Sequence, residues 1–463
     1  MHLMRPLRPG RLAQLPRIAR RELWQRRLPQ GLLGWRYGWP GADQRIRQHR
    51  QLWWRNGARW PRPLWLVLQA WQWLRWVGWS AWVATWRAVR RLGPELAARD
   101  GLPLRRQAWR VLRLALGWCI PPGDCYRFDL VSHPERALDF VYGQELPAFH
   151  LWRSAALGAS AAETAAAHAR LQDKVAVADA LSRLGIPMVP TLMLVTRAEP
   201  MRSLAEQLTE HLAGHLTAHP AEPALTPAPT SASADPAPVA PRLFCKTRSG
   251  NRGRGAFTLW QTAEGLAGRG YDGQELIDTA AVEAAWQRLR ALDDVLIQPC
   301  LANHPQLAAW AGSDTPDDDS RADAITVRYI SQWRDGAAVA LSAVLEVPAG
   351  RDARTQRPTY SLLPIDPATG QVLPWPRPQS LPASVRAAQA RLWARIGAQR
   401  ILPDWPALVA ASHQAQGSFP SVWGIAWDWV LTPDGPRLLE GNSGWGTATP
   451  QQILGGFLAD ARR

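Results

Sequence analysis

Asp428, Glu440 and Asn442 are the residues of this chain best placed to do chemistry together. They lie in WGIAWDWVLTPDGPRLLEGN, two strand-like runs around a Pro-Asp-Gly turn. Side chains alternate between the faces of a strand, so Glu440 and Asn442, two apart, share one face. With Asp428 on the paired strand, two carboxylates and a carboxamide converge as hard oxygen ligands. That set suits Mg²⁺, which takes few protein oxygens and completes its octahedron with waters and phosphate oxygens. A solvated Asp428 with Glu440 on a polar rim is the plainer alternative, but Trp427, Trp429, Leu438 and Leu439 make the surroundings apolar.

Of 54 basic residues only Lys174 and Lys246 are lysines. An ammonium is a compact point charge that fits between phosphate oxygens, whereas a guanidinium is a broad planar fork. Lys174 opens a helix-like run (DKVAVADALSRLGIP), and Lys246 closes a strand-like run (LFCK) just ahead of SGNRGRG. In that loop Gly250, Gly253 and Gly255 let backbone N–H groups fold over phosphates, although the spacing matches neither the P-loop nor the dinucleotide pattern. VLIQPCLANHP is a strand running into a loop, where His304 is either a substrate contact or a loop cap. Arg328, alone in the apolar run ITVRYI, needs an anionic partner if it is buried.

The elements that must position these residues are read from periodicity and turn signals. Residues 161–184 read as helix, with Gly185 in the C′ role and Pro187 beyond it. Residues 188–196 read as a strand and 201–212 as a short amphipathic helix. The Pro/Ala/Thr-rich stretch within 213–241 is an insertion without apolar periodicity. PRLFCKT and AFTLWQ resemble a hairpin around the glycine loop, and a helix over 280–292 leads to the strand VLIQPCL. A second polar insertion (313–323) precedes the strands AITVRYISQW and AVALSAVLEV, with helices over 383–398 and 404–415 before the final hairpin. The mixed order gives an α+β fold without regular βαβ alternation.

Charge is concentrated at one end. Residues 1–118 hold 24 Arg against Glu22, Asp43, Glu95 and Asp100, while the remainder is slightly acidic. Fifteen of the 27 Trp share that segment. Such a segment calls for an anionic partner surface, and Trp favours the membrane interface over nucleic acid. From Leu64 to Trp86, helical periodicity gathers Trp65, Trp71, Trp76, Trp79, Trp82 and Trp86 within an arc of roughly 140°, with Leu66, Val67, Leu74 and Val77 facing away. Arg75 near the middle argues against a membrane span; a helix in the interface of an anionic leaflet, or one packed on the body with a basic rim, fits better. No apolar h-region or cleavage site marks a signal peptide, and no nucleic-acid-binding motif accompanies the charge. Cys119, Cys125, Cys245 and Cys300 lack metal-ligand spacing and read as reduced, buried thiols of a cytoplasmic protein.

In this order the features resemble the ATP-grasp enzymes, and within them the sugar-transfer-associated group related to glutamate-ligase-like proteins. The resemblance covers roughly residues 119–460, and WGIAWDWVLTPDGPRLLEGNSGWG is its most specific piece. It implies ATP held between two α+β subdomains, a lysine-bearing one over about 170–297 and a metal-bearing one over about 298–463, behind the basic Trp-rich segment 1–118. It implies that Lys174 and Lys246 grip the phosphates, that Gly250, Gly253 and Gly255 form the lid, and that the hinge strand with Gln298, Pro299 and Leu301 contacts adenine. Asp428, Glu440 and Asn442 would hold Mg²⁺, with Arg328 near the transferred phosphate or the substrate. The implied activity is ATP-dependent carboxylate–amine ligation through an acyl phosphate, on small carboxylate and amine substrates bound for a surface polysaccharide, at the inner face of the membrane. Alternatives are a kinase-like phosphotransferase, a non-catalytic nucleotide-binding scaffold, and a nucleic-acid binder resting on charge alone. Three departures stand out: Gln298 where many such enzymes have Glu, the 213–241 insertion, and Arg252 and Arg254 in the lid.

Overall fold

The computed structural model describes residues 33–38, 43–57, 60–200, 202–210, 242–249, 255–311, 324–352, 358–376, 381 and 383–459. Both polar insertions, together with Gly250, Arg252, Gly253 and Arg254, lie outside the described residues. The fold is α+β, as expected, with two antiparallel sheets, flanking helices and a helical N-terminal part.

The first sheet contains β1 (Met193–Val195), β2 (Leu243–Thr247), β3 (Phe257–Thr262), β4 (Gly265–Gly270), β5 (Glu275–Leu276) and β6 (Val295–Pro299), in the order β1-β6-β2-β3-β4-β5. One face packs against the helix Thr279–Leu292, whose Val282, Trp286 and Leu289 share a core with Cys245, Phe257, Leu259, Val295 and Ile297. With Cys245 pointing into that core, strand alternation turns Lys246 to the opposite face. Lys246 pairs with Leu296, and Phe244 pairs with Gln298, so Lys246 and Gln298 lie on that same face.

The second sheet contains β7 (Thr326–Arg334), β8 (Ala337–Arg351), β9 (Pro358–Ile365), β10 (Gly424–Thr432) and β11 (Gly435–Asn442), in the order β11-β10-β7-β8-β9. Trp427 and Trp429 are fully buried in a core shared with Leu171, Val177, Leu181 and Leu408. These four come from the helices Ala161–Gln172, Lys174–Ser182 and Trp405–Gly417. Burying the two tryptophans on one face sends Asp428, between them, to the other. Trp427 pairs with Gly441. A Cβ added at Gly441 would stand 2.5 Å from Trp427 Cζ3, so the glycine between Glu440 and Asn442 is set by the ring packed on its far side. Gly441→Ala is therefore expected to cost about 1–3 kcal/mol by overpacking, visible as a lower midpoint in thermal or urea unfolding.

The two sheets are tied by the segment after Gly185. Leu438 N–H donates to Pro187 O at 2.8 Å and Val189 N–H to Leu438 O at 3.1 Å, while Leu192 N–H donates to Ile297 O at 2.9 Å. The strand expected over 188–196 is thus shorter: only Met193–Val195 joins a sheet, and Met188 forms an isolated parallel bridge to Leu438. Pro187 and Pro190 lack the N–H that a longer strand would need there.

The helix expected over 161–184 is two helices broken at Asp173, whose extended φ of −90° and ψ of 100° end one and cap the next. Its carboxylate accepts from the N–H groups of Val175 and Ala176 at 3.1 and 3.2 Å. This N-cap places Lys174 at the first turn of its helix. Gly185, at φ 76°, takes its expected C′ role, and Ile186 N–H closes the end on Leu181 O at 3.1 Å.

In the N-terminal part, the helices Ala81–Asp100 and Leu104–Trp118 share a core with residues 120–142, including Phe128, Leu130 and Phe140. Leu52, from the helix Gln44–Gly57, packs with Phe149, Ile330, Ala426 and Trp445 against the second sheet. The expected tryptophan arc is corrected. Trp65 and Trp76 are buried, whereas Trp71, Trp79, Trp82 and Trp86 are exposed together with Leu66, Val67 and Leu74. A π turn over Trp76–Ser80 adds a residue between the helices Arg62–Arg75 and Ala81–Asp100 and shifts the phase that uniform helical periodicity assumes. Among the described residues no helix is long and apolar enough to cross a membrane. All four cysteines are free, and Cys119, Cys125 and Cys245 are buried.

Candidate active site

The register of the second sheet assembles the site. Asp428 on β10 lies opposite Glu440 on β11 and opposite Arg328 on β7, and Asn442 lies opposite Ala426. Arg328 grips Asp428 with two bonds, Nε to Oδ1 at 2.8 Å and Nη2 to Oδ2 at 3.0 Å. Its remaining nitrogen, Nη1, lies 3.2 Å from Glu346 Oε1 on β8. Asn442 Nδ2 donates to Asp428 Oδ2 at 3.1 Å and to Glu440 Oε1 at 3.0 Å. A β-bulge between Asp428 and Trp429 shifts the register by one residue at Leu439, and pairing resumes at Trp429 with Leu438.

Glu346 was not singled out from the sequence. It is a lone acidic residue in the apolar run LSAVLEV, the same signal that marked Arg328, and it supplies one of the anionic partners Arg328 needs. Thr326 Oγ1 holds its other oxygen, donating to Oε2 at 3.3 Å.

Lys174 and Lys246 approach from the other side. Arg248, two residues beyond Lys246, binds Asp173 at 2.9 and 2.6 Å and reaches Asp294 at 3.3 Å. Lys174 Nζ donates to Arg248 O at 3.4 Å. Thus the end of β2 is fastened to the start of the lysine-bearing helix by a cluster that single-residue inspection of the sequence gave no reason to assemble.

The electrostatics show which charges face each other. Burial pushes the Lys246 ammonium from the ordinary 10.5 down to about 8, with Glu440 opposing the shift and Lys174 adding to it. Burial also lowers Lys174, opposed by Glu440, Asp293 and Asp173. Both lysines therefore sense Glu440, which brings the first turn of the helix Lys174–Ser182, the end of β2 and the carboxylate-bearing hairpin to one place. Asp428 and Glu346 are held above the usual carboxylate range by burial, against the pull of Arg328. Three carboxylates around one guanidinium leave negative charge in excess on this face.

That excess is the fit test for a divalent cation. The Asn442 amide nitrogen already stands between carboxylate oxygens of Asp428 and Glu440, the position of a positive group. Turning the amide over presents Oδ1 instead, since oxygen and nitrogen are interchangeable in outline. Two carboxylates and a carboxamide are hard donors of the kind Mg²⁺ takes, so the residues fit. Among the described residues no group of three or more His, Cys, Asp or Glu side chains could hold a metal, and two carboxylates with Asn442 remain the candidate set.

The other expected residues fall as follows. Gln298 is buried on β6, where its Nε2 donates to Thr191 Oγ1 at 3.3 Å. Pro299 and Leu301 are half-buried where β6 leaves the first sheet towards the second. Gly255, at φ 71°, is the first described residue after the glycine loop; Gly250 and Gly253 lie outside the described residues. His304 is a loop cap: its Nδ1 accepts from Gln306 N–H at 3.2 Å, and its carbonyl starts the helix Pro305–Ala311.

No family model and no curated protein matches the chain. Among solved structures it is similar to a D-alanine–D-alanine ligase from Bacillus anthracis, at 12% identity and a TM-score of 0.31, over 63% of this chain and 66% of that one. It is also similar to an N5-carboxyaminoimidazole synthase from Aspergillus clavatus, in complex with ADP and 5-aminoimidazole ribonucleotide, at 12% identity and 0.29, over 64% and 54%. A D-Ala:D-Ser ligase from Enterococcus faecalis matches at 12% identity and 0.30, over 62% and 57%. The chain thus spans less than two thirds of the length of each of these structures. Overlaps this slight do not place it in a family.

Proposed function

We propose that this protein is an ATP-dependent carboxylate–amine ligase of ATP-grasp type, with its site between the two sheets. The observation that carries the reading is the meeting of Lys174 and Lys246 with Glu440 beside Asp428 and Asn442. Two ammonium groups facing a carboxylate hairpin make a cradle for a triphosphate and its cation. The lysines neutralise charge that develops on the phosphate oxygens. Asp428, Glu440 and Asn442 would hold Mg²⁺, which supplies positive charge against the phosphates when bound.

The acceptor carboxylate takes the γ-phosphoryl group, releasing ADP. Its acyl phosphate is then attacked by an amine, and an amide and inorganic phosphate leave. Arg328 orients the carboxylate-bearing side of the site through Asp428. In this reading the substrates are a uronic acid or an amino acid destined for a surface polysaccharide, supported by the resemblance of the C-terminal hairpin to sugar-transfer-associated proteins.

The test is an isotope experiment on the purified protein with candidate carboxylates and amines. A carboxylate labelled with ¹⁸O is expected to pass one label to inorganic phosphate as ADP forms. ADP formation with unlabelled phosphate, or a stable phosphorylated acceptor, would overturn the ligase reading.

A further inference from the structure

The helical run from Arg62 to Asp100 carries a face that the proposed reaction does not use. Leu66, Val67, Trp71, Leu74, Trp79, Trp82 and Trp86 are between 46% and 70% exposed. They follow one another along an almost unbroken outer stripe, roughly 30 Å long at the α-helical rise. The π turn at Trp76–Ser80 takes up an extra residue and keeps Trp79, Trp82 and Trp86 outward after Trp76 has turned into the core. Trp82 Nε1 donates to Val77 O at 2.9 Å, and the Arg90 guanidinium lies 4.7 Å from the Trp86 ring centre. These indole rings are therefore held in place at the surface by the helix that bears them. A soluble surface rarely keeps an apolar stripe of this size without something to cover it.

The charge around the stripe selects the occupant. Between Asp43 and Glu95 the sequence has no acidic residue. Arg55, Arg62, Arg87, Arg90 and Arg91 are exposed near the two ends of the run. A second copy of the chain would bring a like-charged surface against this one. A nucleic-acid backbone satisfies arginine but leaves Leu66, Val67 and Leu74 in water. An anionic bilayer satisfies both: indole rings settle at headgroup level, aliphatic side chains enter the acyl boundary, and arginines meet anionic headgroups.

We propose that this Trp-rich face docks the protein flat on an anionic lipid bilayer, without spanning it. The inference does not depend on the ligase reading. Full-length protein is floated with vesicles of phosphatidylcholine alone and of phosphatidylcholine mixed with phosphatidylglycerol, across salt, while tryptophan emission is followed. Binding is expected only to the anionic vesicles, weakening with salt, with a blue shift of emission. The triple variant Trp79→Gln/Trp82→Gln/Trp86→Gln should lose at least tenfold in affinity while keeping its circular dichroism and thermal midpoint. If that variant does not fold, Arg87→Gln/Arg90→Gln/Arg91→Gln is expected to show the same loss. The proposal is overturned by wild-type protein that ignores anionic vesicles, or by folded variants that bind as wild type does. It is equally overturned if the tryptophan changes abolish only a dimer seen in sedimentation, or if DNA binds while vesicles do not.

Discussion

Lys246→Met is expected to lower kcat/KM for ATP by about 10²–10³, the loss typical of removing one preorganised charge-stabilising group from a buried site. Methionine keeps the length and apolar stem of lysine, so packing on β2 is preserved and the measurement isolates the ammonium. The pH dependence supplies a second reading of the same residue. In the free protein Lys246 titrates near 8 rather than 10.5. Its depressed value means that the folded state disfavours the ammonium: the destabilisation is full below about 8 and is relieved as pH rises towards 10.5. A triphosphate bound beside it restores the charge. ATP binding above about 8 must then take up protons, and affinity should fall with pH across that window while staying level below it. Calorimetry in two buffers of different ionisation enthalpy measures the uptake. Lys246→Met should abolish it, and unchanged uptake would exclude Lys246 from the phosphate site.

Removal of Arg328 is expected to be nearly as damaging, for a different reason. Its guanidinium is the cation that joins Asp428 to Glu346. Breaking a fully buried pair from one side costs about 3–5 kcal/mol. The Arg328 side chain keeps 38% exposure while Asp428 keeps 10%, so solvent screening brings Arg328→Met to about 2 kcal/mol. Glu346→Gln should cost less, because Arg328 retains its two bonds to Asp428. If the carboxylates lie where a divalent cation sits, Mg²⁺ should offset the loss by raising the unfolding midpoint of Arg328→Met more than that of the wild type. Equal shifts would place the cation elsewhere.

Much of this arrangement was legible from residue types and spacing. The Pro-Asp-Gly turn fixes the hairpin, with Gly435 at φ 101°, and alternation then brings Asp428, Glu440 and Asn442 to one face. The scarcity of lysine pointed to two positions that both sense Glu440. Other features depend on neighbours distant in sequence. The break at Asp173 is sealed by Arg248, seventy-five positions on, and nothing local distinguishes that aspartate from one on a helix surface. Glu346 gains its meaning only from the register of β7 with β8, which no spacing rule supplies. The tryptophan arc straddles the boundary between buried and exposed faces even on the regular helix, where Trp65 is buried and Trp71 exposed. The π turn shifts the phase beyond it. The strand at 188–196 is cut short because Met188 and Val189 engage Leu438 of the other sheet and Pro190 has no N–H to donate.

The central claim is that the protein binds ATP with a divalent cation through Lys174, Lys246 and the Asp428–Glu440–Asn442 hairpin. Titration calorimetry of ATP, with and without Mg²⁺, against wild type and Lys174→Met/Lys246→Met tests it directly. The account predicts Mg²⁺-dependent binding by the wild type and at least a hundredfold loss in the folded double variant, about 3 kcal/mol. Equal ATP affinity in the two proteins, or no binding by the wild type, would contradict it.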